Sequence, residues 1–365
     1  MMPCLIPRWC RRILILSVLA FMGFLLARAW NRLERPELDG GASASLCWVA
    51  MGTSAGLTLP GFQAERLQGL KQSVQEVYAR IEGELSPYKP GNWLRLAHTE
   101  KPIPIPAELY PLVAESIRLA RQSQGAFSPA IEPLMRLWGF RGAPPEAPPS
   151  EAETLALARS VRADLSLALE GDRLLVSKAA RDAVQTTGSG LLLDFGAIAK
   201  GYAVDLAAKR IPPDVPDILI DLGGTLYAKG HCPARTDGWR VAVRNPYQPK
   251  GAIGWFVLPP EMATSTSGGY ERFVSIGSNH VGHLLDPRTG RPVKPCAAVT
   301  VIAPTATLAD ALSTTLYILG PKQGRDWLQQ HHPEAHAVWY PSDPREPPAT
   351  TPGFPTIHPF PTRPR

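Results

Sequence analysis

The sequence predicts an α+β fold: a single domain of mostly antiparallel β-sheet with packed helices. Three observations predict it. Helical and strand patterns do not alternate strictly, as a parallel βαβ sheet would require. Strand-like segments recur about short glycine-containing turns. Two long stretches of helical period sit together in the first half of the chain.

Taken in order, LCWVAMGTSAGLTLP at 46–60 reads as a first strand and hairpin turn. From 62 to 85, Leu67, Leu70, Val74, Val77, Ile81 and Leu85 step by three and four, which predicts an amphipathic helix. Residues 107–124 repeat the pattern with Leu109, Leu112, Val113, Ile117 and Ala120. GAFSPAIEPLMRLWGF at 125–140, rich in apolar and turn residues, ends that helical half. APPEAPPS at 143–150 holds four prolines and reads as a surface insertion. A short helix at 151–161 precedes a hairpin turning at Glu170-Gly171-Asp172. LLLDFGAIAKGYAVD at 191–205 predicts a strand, a turn from Gly196 to Gly201 holding Lys200, and a helix. ILIDLGGTLYAKG at 218–230 reads as one strand, followed by strands WRVAVRNP and IGWFVLPP. TSTSGGYER at 264–272 reads as a small-residue loop entering a hairpin at 273–286. AVTVIAP feeds a helix expected to open at Thr307 and close at Gly320, and a last helix and strand end at Tyr340.

The folded domain is therefore expected over 45–341, with 342–365 a proline-rich tail expected to be disordered or extended; nine prolines fall in the last 25 residues. At the other end, Arg8, Arg11 and Arg12 precede the uncharged run ILILSVLAFMGFLLA at 13–27. Fifteen residues span roughly 22 Å at ~1.5 Å each, short of the ~30 Å hydrocarbon thickness. Residues 1–30 thus read as a signal peptide, with Ala27-Arg28-Ala29 as cleavage site, or as an uncleaved signal anchor. Either way the body is expected to be exported, to the periplasm or to the periplasmic face of the inner membrane.

Composition narrows the function. The 44% hydrophobic and 19% charged content suits a globular protein. A net charge of +6 with scattered arginines argues against a nucleic-acid surface. The five cysteines form no CxxC pair, which argues against zinc and dithiol chemistry.

Chemistry concentrates in a few places. Asp310 and Thr314 are four apart on the 307–320 helix, so a carboxylate and a hydroxyl share one face near its positive end. Two hard oxygens there suit a magnesium ion carrying phosphates, although an aspartate also simply favours a helix N-terminus. Lys200, in its glycine-bounded turn, is either a phosphate holder or a solvated lysine. Asp194 closes three leucines and must be paired or bound to a ligand. His283 precedes the Asp286-Pro287-Arg288-Thr289 turn and is either a core histidine or a general base near neutral pH. Together these features point to magnesium-dependent chemistry on a phosphate ester or anhydride.

Eight motifs in order sharpen that reading: Met51-Gly52-Thr53, Leu85-Ser86-Pro87-Tyr88, GAFSPAIEPLMRLWGF, LDFGAIAKGYAVD, DLGG, TSGGYER, HLLDPRTGRP and ADALSTTLYILG. Over roughly residues 46–340 the chain closely resembles the ApbE-like FAD:protein FMN transferases. That resemblance implies an FAD site lined by Met51, Tyr88, Ala126, Phe127, Ser128, Asp194, Lys200 and Leu284. It implies magnesium held by Asp310, Thr314 and the backbone oxygen of Ala197. The implied reaction is attack of a threonine or serine hydroxyl of an exported or membrane-bound acceptor flavoprotein on the pyrophosphate of FAD. FMN becomes phosphoester-linked and AMP leaves. His283 is the candidate base. Two departures stand out: Ser128 replaces the family's usual aspartate, and KPGNWLRLAH after Tyr88 lacks the usual serine-led segment. The competing functions are a magnesium-dependent FAD pyrophosphatase and a non-catalytic FAD-binding protein.

Overall fold

The computed structural model describes residues 43–61, 64–89, 92–94, 100–187, 192–233, 235–248, 251–277 and 279–360. The leader expected at 1–30 lies outside the described residues. Among the described residues no helix is long and apolar enough to cross a membrane.

The framework is one eight-stranded sheet. Its strands are β1 (Ser43–Ala50), β2 (Thr53–Pro60), β3 (Ile218–Leu222), β4 (Thr225–Lys229), β5 (Met262–Gly268), β6 (Ala298–Ala303), β7 (His336–Tyr340) and β8 (Ala349–Thr350). They lie side by side in chain order, and every neighbouring pair is antiparallel. The sheet is thus a meander, and the rest of the chain is inserted between consecutive strands. This is the expected α+β architecture.

The two faces of the sheet are covered differently, and β6 shows how. All six of its residues are buried. Val299, Val301 and Ala303 join the main core with the helices, while Ala298 and Ile302 join a second core on the opposite face. Alternate side chains of a strand point to opposite faces, so a strand covered on both sides reads as a continuous apolar run. Helices α1 (Ala64–Leu85), α2 (Ala199–Ala208) and α3 (Ala306–His331) build the first core. The ribbon formed by strands Trp239–Arg244 and Ala252–Leu258 builds the second.

Several segments depart from expectation, each for a local reason. The 218–230 stretch is a hairpin, because Gly223 (φ 63°) and Gly224 (φ 85°) adopt the left-handed pair that a two-residue turn needs. Residues 262–268 form the central strand β5 rather than a loop; their small hydroxyl side chains fit a strand covered closely by a helix. Residues 192–195 make no sheet ladder among the described residues; Asp194 N–H instead donates to the Pro129 carbonyl at 2.8 Å. Lys200 then lies in the first turn of α2, not in the preceding loop. Helix α3 opens one residue early, capped by Thr305, whose hydroxyl accepts the Leu308 N–H. Its helical geometry breaks where expected, at Gly320 before Pro321, and resumes to His331.

The proline-rich tail docks on the domain. Within it, β8 pairs with β7, and Trp255 and His358 exchange backbone hydrogen bonds at 2.9 and 2.7 Å. Phe354 and Ile357 pack on the second core. Of the disordered or extended tail that the composition suggests, the described part is extended, and its few apolar residues are spaced to cover an otherwise open apolar ribbon.

Candidate active site

Two helix N-termini meet above β4 and β5, and each is capped by an aspartate from the other helix. Asp310 of α3 accepts the Gly201 N–H of α2 at 3.0 Å. Asp205 of α2 accepts the Ala306 and Thr307 N–H groups of α3 at 2.8 Å each. Each carboxylate thereby satisfies donors that a helix leaves unpaired in its first turn, at the positive end of the dipole. Burial pushes the Asp205 carboxyl above its ordinary range, against the pull of its Thr307 and Ala306 donors. The crossing is close because residue 201 is glycine: a Cβ there would lie 2.0 Å from the Ala306 carbonyl oxygen.

This crossing brings Lys200 onto Asp310. The ammonium lies 3.0 and 3.3 Å from the two carboxylate oxygens, and Asp310 is only 3% exposed. Hydroxyls surround the pair from the sheet below. Ser265 Oγ and Thr225 Oγ1 reach Asp310 Oδ1 at 3.4 and 3.5 Å and bond each other at 3.0 Å. One further step along β5, Ser267 Oγ lies 2.8 Å from Ser313 Oγ and 3.3 Å from Thr314 Oγ1. The strand period of two places Ser265 and Ser267 on the face toward α3, one residue level with Asp310 and the other with Thr314. These hydroxyls were not foreseen; the alternating serines of TSTSG were their signal once the segment is a strand.

The donor set is one carboxylate, several hydroxyls and one ammonium. Among the described residues there is no group of three or more His, Cys, Asp or Glu able to hold a metal. A soft or all-protein metal site is therefore not built here. A hard cation sharing its shell with substrate phosphates does fit, since such ions take few carboxylates and keep oxygen ligands. The Lys200 ammonium already occupies a cationic position against the carboxylate. Ala197 lies in the turn leading into α2, three residues before Lys200.

A second feature is a cavity of about 380 Å³, at the small end of the ~300–1,000 Å³ typical of ligand pockets. Tyr88, Phe140 and Phe273 give it aromatic walls; Arg141, Glu271 and His283 give it charge and hydrogen-bonding groups. It lies within electrostatic reach of the helix crossing. Desolvation drives the Glu271 carboxyl upward, Lys200 and Arg244 draw it down, and Asp310 pushes it up.

His283 follows strand Asn279–Gly282 and lines this cavity, so it is not a core residue. Desolvation and then the Arg272 charge pull its pKa down to about 4, against a hydrogen bond to the Arg272 carbonyl. The imidazole is neutral at pH 7, able to accept a proton, and does not titrate near neutrality.

The other residues implied for flavin binding are spread around this region. Tyr88 is 71% exposed at the cavity mouth. Asp194 is buried and fully engaged: Oδ1 accepts the Gly196 N–H at 2.8 Å and Oδ2 accepts Arg141. Within the chain, Asp194 finds the partners that a buried carboxylate needs in Gly196 and Arg141. Ser128 is buried beside that segment, its Oγ accepting the Ala130 N–H at 3.2 Å. Ala126, Phe127 and Leu284 are also buried. Met51 occupies the β1–β2 turn with φ 48° and packs on the main core. Only Tyr88 and His283 of the expected set line the cavity, and only Lys200, Asp310 and Thr314 share the helix crossing.

Comparison with known proteins places this geometry. Residues 51–339 match the model of the ApbE family. The FAD:protein FMN transferase of Escherichia coli K12 is 29% identical over 287 residues, covering 77% of this chain and 79% of its own. The flavinyl transferase ApbE of Pseudomonas stutzeri superposes with a TM-score of 0.67 at 28% identity, covering 87% of this chain and 95% of its own. The ApbE protein of Thermotoga maritima gives 0.69 at 26% identity, covering 82% and 94%.

Proposed function

The chain belongs to the ApbE family, and on that premise we propose that it transfers FMN from FAD to a hydroxyl of an acceptor flavoprotein, releasing AMP. It is an FAD:protein FMN transferase. The observation that carries this reading is the buried Asp310 carboxylate, held by Lys200 and Gly201 N–H at the crossing of two helix N-termini. A pyrophosphate needs positive charge close by, and the crossing holds a lysine ammonium beside a carboxylate and hydroxyls able to anchor a bridging hard cation.

Asp310 and Thr314 would hold magnesium, with the Ala197 carbonyl. When bound, that ion would neutralise charge on the pyrophosphate oxygens. The chain's own groups do the rest. Lys200, its ammonium held in place by the carboxylate, stabilises the charge that develops on the phosphate oxygens as the bond to the leaving AMP lengthens. His283, neutral and at the cavity wall, accepts the proton of the attacking threonine or serine hydroxyl. Tyr88 and the cavity walls hold a planar ring away from water. Because the acceptor sits on another protein, the half-open cavity mouth beside Phe273, 59% exposed, is the side from which that hydroxyl enters.

The leader at 13–27 favours export and acceptors outside the cytoplasm. Hydrolysis of FAD is the same chemistry with water as acceptor. The test is mass spectrometry of an acceptor flavoprotein domain after incubation with the chain, FAD and magnesium. A covalent FMN increment supports transfer; free FMN and AMP with unmodified acceptor contradict it.

A further inference from the structure

Arg141 follows directly on the Trp138-Gly139-Phe140 turn and plays no part in the motifs that carry the family resemblance. Its side chain is 12% exposed. One terminal nitrogen donates to Asp194 Oδ2, and the other donates to the Tyr88 hydroxyl at 3.0 Å. The guanidinium carbon lies 5.3 Å from the centre of the Tyr88 ring. Its Nε is buried and has no hydrogen-bond partner among the described residues. A buried donor left without an acceptor carries a desolvation penalty, which a bound acceptor would relieve.

The layering is as informative as the donor. Asp194 does not line the cavity; Arg141 does, and stands in front of it. Both Asp194 oxygens are engaged, by Gly196 N–H and by Arg141. The carboxylate thus holds the guanidinium in place from behind. Burial would lower the Arg141 pKa, but the Asp194 charge and its hydrogen bond outweigh it, and the fork stays cationic. Around it the walls are Tyr88, Phe140, Phe273 and Met135, which suit a flat ring.

We propose that Arg141 is a specificity-determining residue that binds the acceptor edge of the flavin ring. That edge carries ring nitrogen and carbonyl oxygen acceptors in one plane, a match for a planar fork of N–H donors. An adenine edge offers one ring-nitrogen acceptor beside an amino donor, so one N–H of the fork would face another donor, and the cavity discriminates for flavin. This proposal rests on FAD being the substrate, as proposed above.

Binding of three probes to the full chain tests it: riboflavin, which has the ring without phosphate; ADP, which has the phosphates without the flavin ring; and FAD. The variants are Arg141→Lys, which keeps the charge on Asp194 but loses the fork, and the double variant Arg141→Gln with Asp194→Asn. The double variant removes both charges together and leaves none buried alone. Melting temperature is recorded for each. Riboflavin and FAD affinities should fall at least about tenfold in both, the scale of one lost charge-assisted hydrogen bond, while ADP affinity stays within about twofold. Equal flavin binding by wild type and both variants would overturn the role of Arg141 alone, as would a parallel fall in ADP affinity. Wild-type protein that binds no flavin would overturn the substrate reading and this proposal with it.

Discussion

Lys200 was legible from the sequence as a phosphate-holding candidate, but its alternative as a solvated turn lysine does not survive its contact with Asp310. Lys200→Ala should therefore lose transfer and also cost about 1–3 kcal/mol, since it removes a charge-assisted bond from a buried carboxylate. Chemical denaturation alongside the transfer assay checks both. His283 was legible as a histidine near a conspicuous turn; its depressed pKa was not, because desolvation and the Arg272 charge come from the folded cavity. The sign follows directly. The folded pKa of about 4 lies below the ordinary 6.5, so between those values the folded chain binds fewer protons than the unfolded one. The contribution of His283 to stability is complete above 6.5 and is lost as pH falls toward 4. The transfer rate should accordingly show no His283 inflection near neutrality. A pH–rate profile of kcat/KM that is flat from 6 down toward 5 on correctly folded protein supports this, and an acid limb at about 6.5 that disappears in His283→Ala contradicts it.

Among elements, the helix around Asp310 was the most legible, because its spacing, its apolar faces and its Gly320-Pro321 stop all agree. Its partner is not legible in the same way: β5 reads as a loop in the sequence because serine, threonine and glycine dominate it. In the fold those residues are small enough to let α3 approach the strand, and polar enough to bond Asp310 and Thr314. The reciprocal caps were equally hidden, since the Asp205 and Asp310 contacts join residues more than a hundred positions apart. Gly201→Ala should force the helices apart against the Ala306 carbonyl, costing about 1–3 kcal/mol or more. It should also lower transfer beyond the loss of folded protein, by separating Lys200 from Asp310. Asp205→Ala should cost about 0.5–2 kcal/mol, the range for a lost helix cap. Melting curves and rates per folded molecule separate the two; an unchanged Gly201→Ala enzyme would contradict the close crossing.

At the scale of the whole molecule, the hairpin turns and helical periods were enough to indicate a mostly antiparallel α+β domain. The strict chain-order meander was not legible, because long insertions hide which strands are neighbours. The docking of the tail is hidden for a related reason: proline content speaks of the backbone, whereas Phe354 and Ile357 find their partners only in the second core. Truncation after 341 should lower the melting temperature while leaving FAD affinity nearly unchanged, since the tail covers the face away from the helix crossing; an affinity loss at a temperature where the variant is folded would contradict that separation. The central claim is that the Lys200–Asp310 crossing performs FMN transfer. Its most direct test compares wild type with Asp310→Asn, which keeps an acceptor for the Gly201 N–H but removes the charge. Covalent flavin on an acceptor domain is followed by mass spectrometry across a magnesium titration. The account predicts magnesium-dependent modification by wild type and its loss in a folded, FAD-binding Asp310→Asn variant; modification by that variant within a fewfold of wild type would contradict it.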